Sequence, residues 1–234
     1  MKLQKIIELT GTITLKTGLH IGSGDTEMKI GGTDNPVIKH PYTLEPYIPG
    51  SSLKGKVRAL LEMRSGLIAY TEGRPLSASL LKRKDLSEDQ KVECEKILKL
   101  FGVSGADIEE EDGLGPSRAS FSDCPLDDNW KKEILENNLS FTEVKAENFI
   151  NRIKGTAESP RFIERVPAGA KFRFQITIRC LNKGEEKLED FLLEGLKLLE
   201  MDNLGGSGSR GYGRIKLEFD DSVLNEKFEK IMPF

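Results

Sequence analysis

Apolar side chains recur at every second position in two stretches of the chain. In KIIELTGTITLKT, residues 5–17, Ile7, Leu9, Ile13 and Leu15 fall at odd positions, and a period of two marks a strand with one buried face. KFRFQITIRC repeats the pattern, with Phe172, Phe174, Ile176 and Ile178 pointing one way and Lys171, Arg173, Gln175, Thr177 and Arg179 the other. YGRIKLEF alternates again, and SRASFSDCPL reads as a short strand. Helical periods lie between them. SSLKGKVRALLEMRSG sets Leu53, Val57, Leu60 and Leu61 on one face, with Ser51 or Ser52 as the expected N-cap. SEDQKVECEKILKLF opens on Ser87, carries acids in its first turn and stops at Gly102. DDNWKKEILEN predicts a short helix and EKLEDFLLEGLKLLEMD a longer amphipathic one.

Two segments fit neither period. GLHIGSGD and KIGGTDNPVIKHPYTLEPYIPG form a long loop broken by glycine and proline, and loops beyond ~12–15 residues are usually functional or disordered. FTEVKAENFINRIKGTAESPRFIERVPAG carries two short apolar patches around the turn-forming KGTAESP, as a protruding hairpin does. Stripped of insertions, the order is strand, helix, strand, strand, helix, strand. The expected fold class is therefore α+β: a ferredoxin-like, or RRM-like, βαββαβ core. The expected organisation is a single domain over 1–234, with insertions at about 67–115 (a helical, acidic lid) and 140–169 (the hairpin). That plan hosts many unrelated functions and settles none.

The chain holds 35 Lys and Arg against 38 Asp and Glu, a formal charge of −3, which argues against a surface that binds any polyanion indiscriminately. The charge is uneven, however. DIEEED at 107–112 is a run of acids, whereas the stretch from Arg152 to Arg173 is mostly basic, with Glu158 and Glu164 as its acids. A segregated surface with a local basic groove accounts for this, and so does a solvated loop beside an ordinary mixed face. Cys94, Cys124 and Cys180 stand apart with no CxxC or Cys/His pairing, so buried small hydrophobes are expected in place of a disulfide framework or zinc site. No stretch approaches the ~20 apolar residues of a membrane span, and MKLQKIIELTGTITL lacks a signal-peptide apolar core. A cytoplasmic protein without membrane contact is expected.

Candidate chemistry concentrates in a few places. In LGGSGSRGYGRI, residues 204–215, Gly205, Gly206, Gly208 and Gly211, interleaved with Ser207 and Ser209, leave amides open to phosphate oxygens, and Arg210 adds a fork of donors. No GKS or GKT follows and the run precedes a strand, so it is neither a P-loop nor a dinucleotide fingerprint; a flexible turn is the other reading. PYIPGSSLKGKVRALLE places Ser51, Ser52 and first-turn amides at a helix N-terminus, a favourable place for an anion, with Lys54 and Arg58 one turn apart. A capped helix with snorkelling cations fits the same residues. Nothing in the sequence brings the two histidines, His20 and His40, together, so histidine-based ribonuclease chemistry has little support. Asp34-Asn35-Pro36 reads in isolation as a turn.

TGLHIGSGD, IPGSSLKGKVRALLE, NRIKG with PRFIERVPAGAKF, and LGGSGSRGYGRI stand in the order found in the RAMP superfamily of CRISPR proteins. The resemblance covers nearly the whole chain. Within that superfamily, GGTDNPVIKHP ahead of IPGSSLKG resembles the repeated backbone subunit of type III-A, or Csm, complexes. The resemblance implies an antiviral-defence protein that stacks with copies of itself, beside other Csm subunits, in a filament along a guide RNA and cuts complementary target RNA at regular intervals. His20, Ser51, Ser52, Lys54, Arg58 and the loop from Gly205 to Gly211 match guide-contacting motifs. The hairpin matches the thumb that displaces a nucleotide of the guide–target duplex; Arg152, Arg161 and Arg165 fall in it, with Phe162 and Ile163 as its expected wedge.

Asp34 matches the aspartate such subunits need for cleavage. One carboxylate cannot supply an acid–base pair. It can hold a divalent metal, expected to be Mg²⁺, or orient a 2′-hydroxyl for in-line attack on the adjacent phosphodiester. That route requires ribose, spares DNA and leaves a cyclic phosphate and a 5′-hydroxyl. Three alternatives stay open: a backbone subunit in which Asp34 only shapes its loop, a guide-processing ribonuclease using His20, and a nucleotide-binding regulator.

Overall fold

The two alternating stretches meet side by side. In the computed structural model, which describes residues 2–24, 35–103 and 114–234, the chain runs β1 (Lys5–Leu15), α1 (Gly50–Arg64), α2 (Glu88–Phe101), β2 (Ala119–Phe121), α3 (Asp128–Glu136), β3 (Glu143–Ile150), β4 (Ala157–Arg165), β5 (Lys171–Cys180), α4 (Leu188–Met201), β6 (Ile215–Phe219) and α5 (Ser222–Glu229). One sheet has the order β2-β5-β1-β6 with every neighbouring pair antiparallel, and β3 and β4 form a separate two-stranded sheet. The expected α+β class is what forms, and its sheets are antiparallel.

The register follows the apolar pattern. Ile7 pairs with Ile178, Leu9 with Ile176 and Ile13 with Phe172, and all of these side chains are buried on one face. Leu53, Val57 and Leu61 of α1 and Leu192, Leu196 and Leu199 of α4 complete the same core. Burying each such side chain contributes roughly 1.5–3 kcal/mol. A one-residue slip would turn the whole set to solvent, which is why this register is firmly specified.

The starts of α2 and α3 follow local chemistry. Ser87 and Gln90 form a reciprocal capping box at α2, and Asp127 Oδ1 accepts the Asn129 and Trp130 amides at α3. At α1 the expected serine cap is replaced. Pro49 occupies the N-cap position in extended conformation, and Ser51 and Ser52 lie inside the helix. The Gly50 amide donates instead to Asp123 Oδ1 at 2.8 Å, so a carboxylate from beyond β2 does the capping. The approach is close enough that a Cβ at Gly50 would stand 2.2 Å from the Phe121 carbonyl oxygen. The sequence reading also missed α5. Asp221 caps it and its Phe228 packs edge-on against Phe219, with ring centroids 5.0 Å apart.

A buried ion pair closes the far edge of the sheet. Arg118 is fully buried and forks onto Glu185 at 2.8 and 3.1 Å. Burial opposes ionisation of Glu185, but the bonds from Arg118 and from the Leu181 amide outweigh it and pull its carboxyl down to about 2. Cys94, Cys124 and Cys180 are free and buried, as expected. Burial pushes the Cys124 thiol up to about 12, which removes its reactivity. Among the described residues, no helix is long and apolar enough to cross a membrane. Asp34 and the acidic run at 107–112 lie outside the described residues.

Candidate nucleic-acid interface

The described parts of the long segment between β1 and α1 are pinned by short bridges: Leu19 to Val166, Gly22 to Val37, Lys39 to Pro46 and Ile48 to Cys124. The first of these brings His20 beside the glycine-rich loop. Gly206 donates its amide to the His20 carbonyl at 2.8 Å, and the Gly213 amide reaches the Gly18 carbonyl at 2.9 Å. Gly205 has a φ of +75°, and a Cβ there would come within 2.4 Å of the His20 carbonyl oxygen. Glycine is required here twice over, by backbone conformation and by the close approach. Ser207 is left-handed, and Gly208–Arg210 makes a single 3-10 turn.

Two carboxylates of the hairpin fasten it to these segments. Glu147 on β3 pairs with Arg210 and accepts the Tyr212 hydroxyl at 2.7 Å. The Tyr212 hydrogen bond, then the cations Lys145 and Arg210, hold the Glu147 carboxyl below its ordinary range. Arg210 also donates to Ser207 Oγ at 2.7 Å. Its expected fork of donors is therefore engaged within the chain. Lys145 Nζ and the Arg165 guanidinium lie over the Tyr212 ring, 4.7 and 5.0 Å from its centroid, and Arg165 is itself bonded to Glu143 at 2.7 Å.

Glu164, buried on β4, is the second fastening. It accepts the Val37 amide at 3.0 Å, Lys39 Nζ at 2.6 Å and Thr142 Oγ1 at 2.7 Å. Burial opposes its ionisation, yet these donors keep the carboxyl below the ordinary range. The Glu164 backbone takes part as well. Its carbonyl lies 2.7 Å from His20 Nδ1, and its amide donates to the Asn35 carbonyl at 3.1 Å. His20, the stem of residues 35–39 and the hairpin root thus share one junction. Neither Glu147 nor Glu164 was singled out from the sequence. Glu147 lies far along the chain from Arg210 and Tyr212, and Glu164 from Val37 and Lys39, and no local spacing signals such contacts.

On α1, Ser51, Lys54 and Arg58 follow an i, i+3, i+7 spacing along one side. Lys54 is half-buried and has no carboxylate partner among the described residues. Desolvation, and then the positive charge of Arg58, hold its amine below the usual range. Arg58 is engaged, donating to Glu62 Oε1 at 2.7 Å, the Gly102 carbonyl at 3.0 Å and the Leu76 carbonyl at 2.8 Å. Ser51 is exposed and Ser52 partly so. On the opposite flank of the helix, Lys56 reaches Asp202 at 2.7 Å, joining α1 to the entrance of the glycine-rich loop.

The expected wedge requires a correction. Phe162 and Ile163 are consecutive in a strand and point to opposite faces: Phe162 is 47% exposed and Ile163 only 5%. Ile163 turns inward, and its backbone bridges Asn35 in parallel. The exposed apolar surface of the hairpin is Val144, Phe149, Ile150, Ile153 and Phe162, with Ile153 98% exposed. Arg152 and Arg161 stand exposed on the same hairpin. His40 accepts the Tyr42 and Thr43 amides within its own turn.

Among the described residues, no group of three or more His, Cys, Asp or Glu side chains could hold a metal ion. The junction presents glycine-loop amides beside His20, and α1 separately carries the unpaired Lys54 ammonium; both are donors of the kind that suits phosphate oxygens.

The chain is similar to known proteins along most of its length. It is 40% identical to the CRISPR system Cms endoribonuclease Csm3 of Methanothermobacter thermautotrophicus, over 97% of this chain and 89% of that protein. It is 42% identical to the protein of the same name from Methanocaldococcus jannaschii, over 89% of this chain and 77% of that one. A crystal structure of a Csm3–Csm4 subcomplex of the type III-A CRISPR-Cas interference complex superposes with a TM-score of 0.57 at 27% identity, covering 99% of both chains. The RAMP superfamily model matches residues 12–216, so nearly the whole chain, including the glycine-rich loop and the hairpin, belongs to the RAMP superfamily.

Proposed function

We propose that this chain is the repeated RNA-binding subunit of a type III-A CRISPR effector complex and cuts target RNA there. On this reading copies stack along a guide RNA beside other Csm subunits in the cytoplasm. The guide backbone runs past Lys54, Ser51, Ser52, His20 and the loop from Gly205 to Gly211. The sheet order β2-β5-β1-β6, with α1 joining β1 to β2 and α4 joining β5 to β6, supports a ferredoxin-like βαββαβ core within one domain. Residues 67–115 are then its lid and 140–169 its thumb.

The observation that carries the proposal is the junction at Glu164. It ties together a guide-side residue, His20, the hairpin root, and the Val37 and Lys39 that follow Asp34 by a few positions. A carboxylate carried on that stem is suited to act where the hairpin parts the duplex. Asp34 then orients the target 2′-hydroxyl. The 2′-oxygen gives up its proton and bonds to phosphorus, the bond to the 5′-oxygen breaks, and that oxygen takes a proton. The products are a 2′,3′-cyclic phosphate and a 5′-hydroxyl.

A magnesium ion at this site would take Asp34, phosphate oxygens and water as its ligands, and would supply charge neutralisation at the phosphate.

The test is the assembled complex, magnesium and a matched target RNA. Evenly spaced cuts are expected from the natural chain. With Asp34→Ala the cuts vanish while target binding persists, and a 2′-deoxy substitution at a cut position protects that position alone. Cutting that continues in Asp34→Ala excludes the assignment.

A further inference from the structure

The basic side of α1 does not end at Arg58. Beyond it, two 3-10 turns, Leu67–Tyr70 and Ala78–Lys82, and the loop between them border a cavity of about 740 Å³. Its charged lining is Arg58, Arg74 and Arg83, with hydroxyls from Thr71, Ser77 and Ser79, and no acid among the lining residues. In a chain of formal charge −3 this is unusual. Three further cavities of the described residues each include carboxylates: Asp123 in one, Glu93 in another, Asp127 in the third.

The three guanidiniums are held differently. Arg58 is fixed by Glu62, Gly102 and Leu76, which uses three of its five N–H groups and leaves two for a ligand. Arg83 is gripped by Asp85 at 2.6 and 2.9 Å and lies 5.1 Å over the Tyr70 ring. Arg74 is exposed, and its side chain has no partner among the described residues. Asp85 takes one edge of the Arg83 fork, so the donors left to a ligand are the two spare N–H groups of Arg58 and the whole free fork of Arg74, beside the mutually bonded hydroxyls of Ser77 and Ser79. This set suits a phosphate better than a neutral ligand. The volume exceeds what a lone phosphate needs and suits a phosphate with its ribose.

We propose that this cavity is a second phosphate site, which holds the sugar–phosphate backbone of an RNA strand continuing from the Lys54–Arg58 side of α1. The inserted segment is then part of the RNA track as well as a cover for α1. This rests on the RNA-binding reading above and extends it to residues which that reading leaves out, Arg74 and Arg83.

The test uses the full chain with a labelled single-stranded RNA, titrated across a salt series. Arg74 is the cleanest variant because its side chain supports nothing else. Arg74→Ala is expected to weaken binding about threefold to tenfold and to flatten the slope of log affinity against log salt by about 0.7, the share of one phosphate contact on a single strand. Arg74→Lys should recover most of the slope, and the unfolding midpoint should not move. Lys54→Ala serves as the control for the α1 track. If it weakens binding while Arg74→Ala does not, the cavity proposal is overturned and the RNA-binding reading stands. If neither variant changes affinity or slope, both fail. Saturable binding of AMP that Arg74→Ala abolishes, with RNA affinity untouched, would make the cavity a mononucleotide pocket and overturn the proposal.

Discussion

β5 and the β3–β4 hairpin are neighbours in the chain, yet opposite principles hold them. Along β5, Phe172, Phe174, Ile176, Ile178 and Cys180 all enter the core. Along the hairpin, Val144, Phe149 and Ile150 face outward, and Glu164 is one of the few residues turned in. Apolar area fixes the strand, whereas the hairpin root is fixed largely by carboxylates: Glu164 on Val37, Lys39 and Thr142, Glu147 on Arg210 and Tyr212, and Glu143 on Arg165. The difference teaches how such an arm can be both placed and available. Polar fastenings set its position without consuming its apolar surface, which stays exposed for a partner.

The contrast can be broken most forcefully at Arg118 and Glu185, where the body buries both partners of an ion pair. Arg118→Ala leaves Glu185 buried without its partner and should cost about 3–5 kcal/mol, the usual penalty for half a buried pair, read from the denaturant midpoint. The same pair predicts a pH dependence. Glu185 ionises near 2 in the folded chain, below its ordinary range, so its contribution is fully present above about pH 4.5 and is lost as pH falls toward 2. Unfolding midpoints measured across that window should fall in the natural chain and stay flatter in Arg118→Ala. Next in size is Ile176→Ala, at a fully buried position, expected to cost about 2–5 kcal/mol. A loss under 1 kcal/mol there would mean that the sheet face is not the source of the body's stability.

These two residues also mark what the sequence could reveal. Ile176 stands in an unbroken alternation, and that pattern alone identified the strand and its buried face. Arg118 pairs with a carboxylate beyond β5, and no local spacing announces such a partner. The same limit explains the α1 cap. Two serines ahead of an apolar run looked sufficient, but Pro49 and the distant Asp123 had already met the helix end. The hairpin was legible as a hairpin through its turn residues. Its exposed residues were not, because burial there is decided by side chains from elsewhere, and adjacency suggested Phe162 with Ile163 where strand geometry forbids the pair. His20 and the glycine-rich loop were recognised as separate motifs, and the structure supplies their contact.

A smaller effect is expected where the hairpin meets the glycine-rich loop. Glu147→Gln keeps a hydrogen-bonding side chain but removes the charge that Arg210 and Lys145 face. Arg210 is half-exposed but Glu147 is only 16% exposed, so the global cost should lie a little above that of a surface pair, at about 1–2 kcal/mol. Amide exchange in β3 should nevertheless quicken relative to β5, since the fastening that it loses is local. Equal slowing or quickening in both strands would show that the hairpin and the body open as one unit.

The least stability change is expected at the hairpin's outer apolar residues. Phe149→Ser combined with Ile153→Ser removes side chains that are already exposed, so the unfolding midpoint should stay within about 0.5 kcal/mol of the natural chain. The comparable apolar-to-small change at Ile176 costs several times more, and this disparity is the sharpest form of the comparison. If the exposed patch serves a guide–target duplex, the double variant should bind single-stranded guide as before, because Lys54 and the glycine-rich loop are untouched. It should lose the regular spacing of cuts in target RNA, since stacking against or between bases is what such side chains contribute. A variant as destabilised as Ile176→Ala would place these residues in a core that the fold does not give them. A stable variant with unaltered cutting would leave the carboxylate fastenings without a functional reason to hold an apolar arm in water.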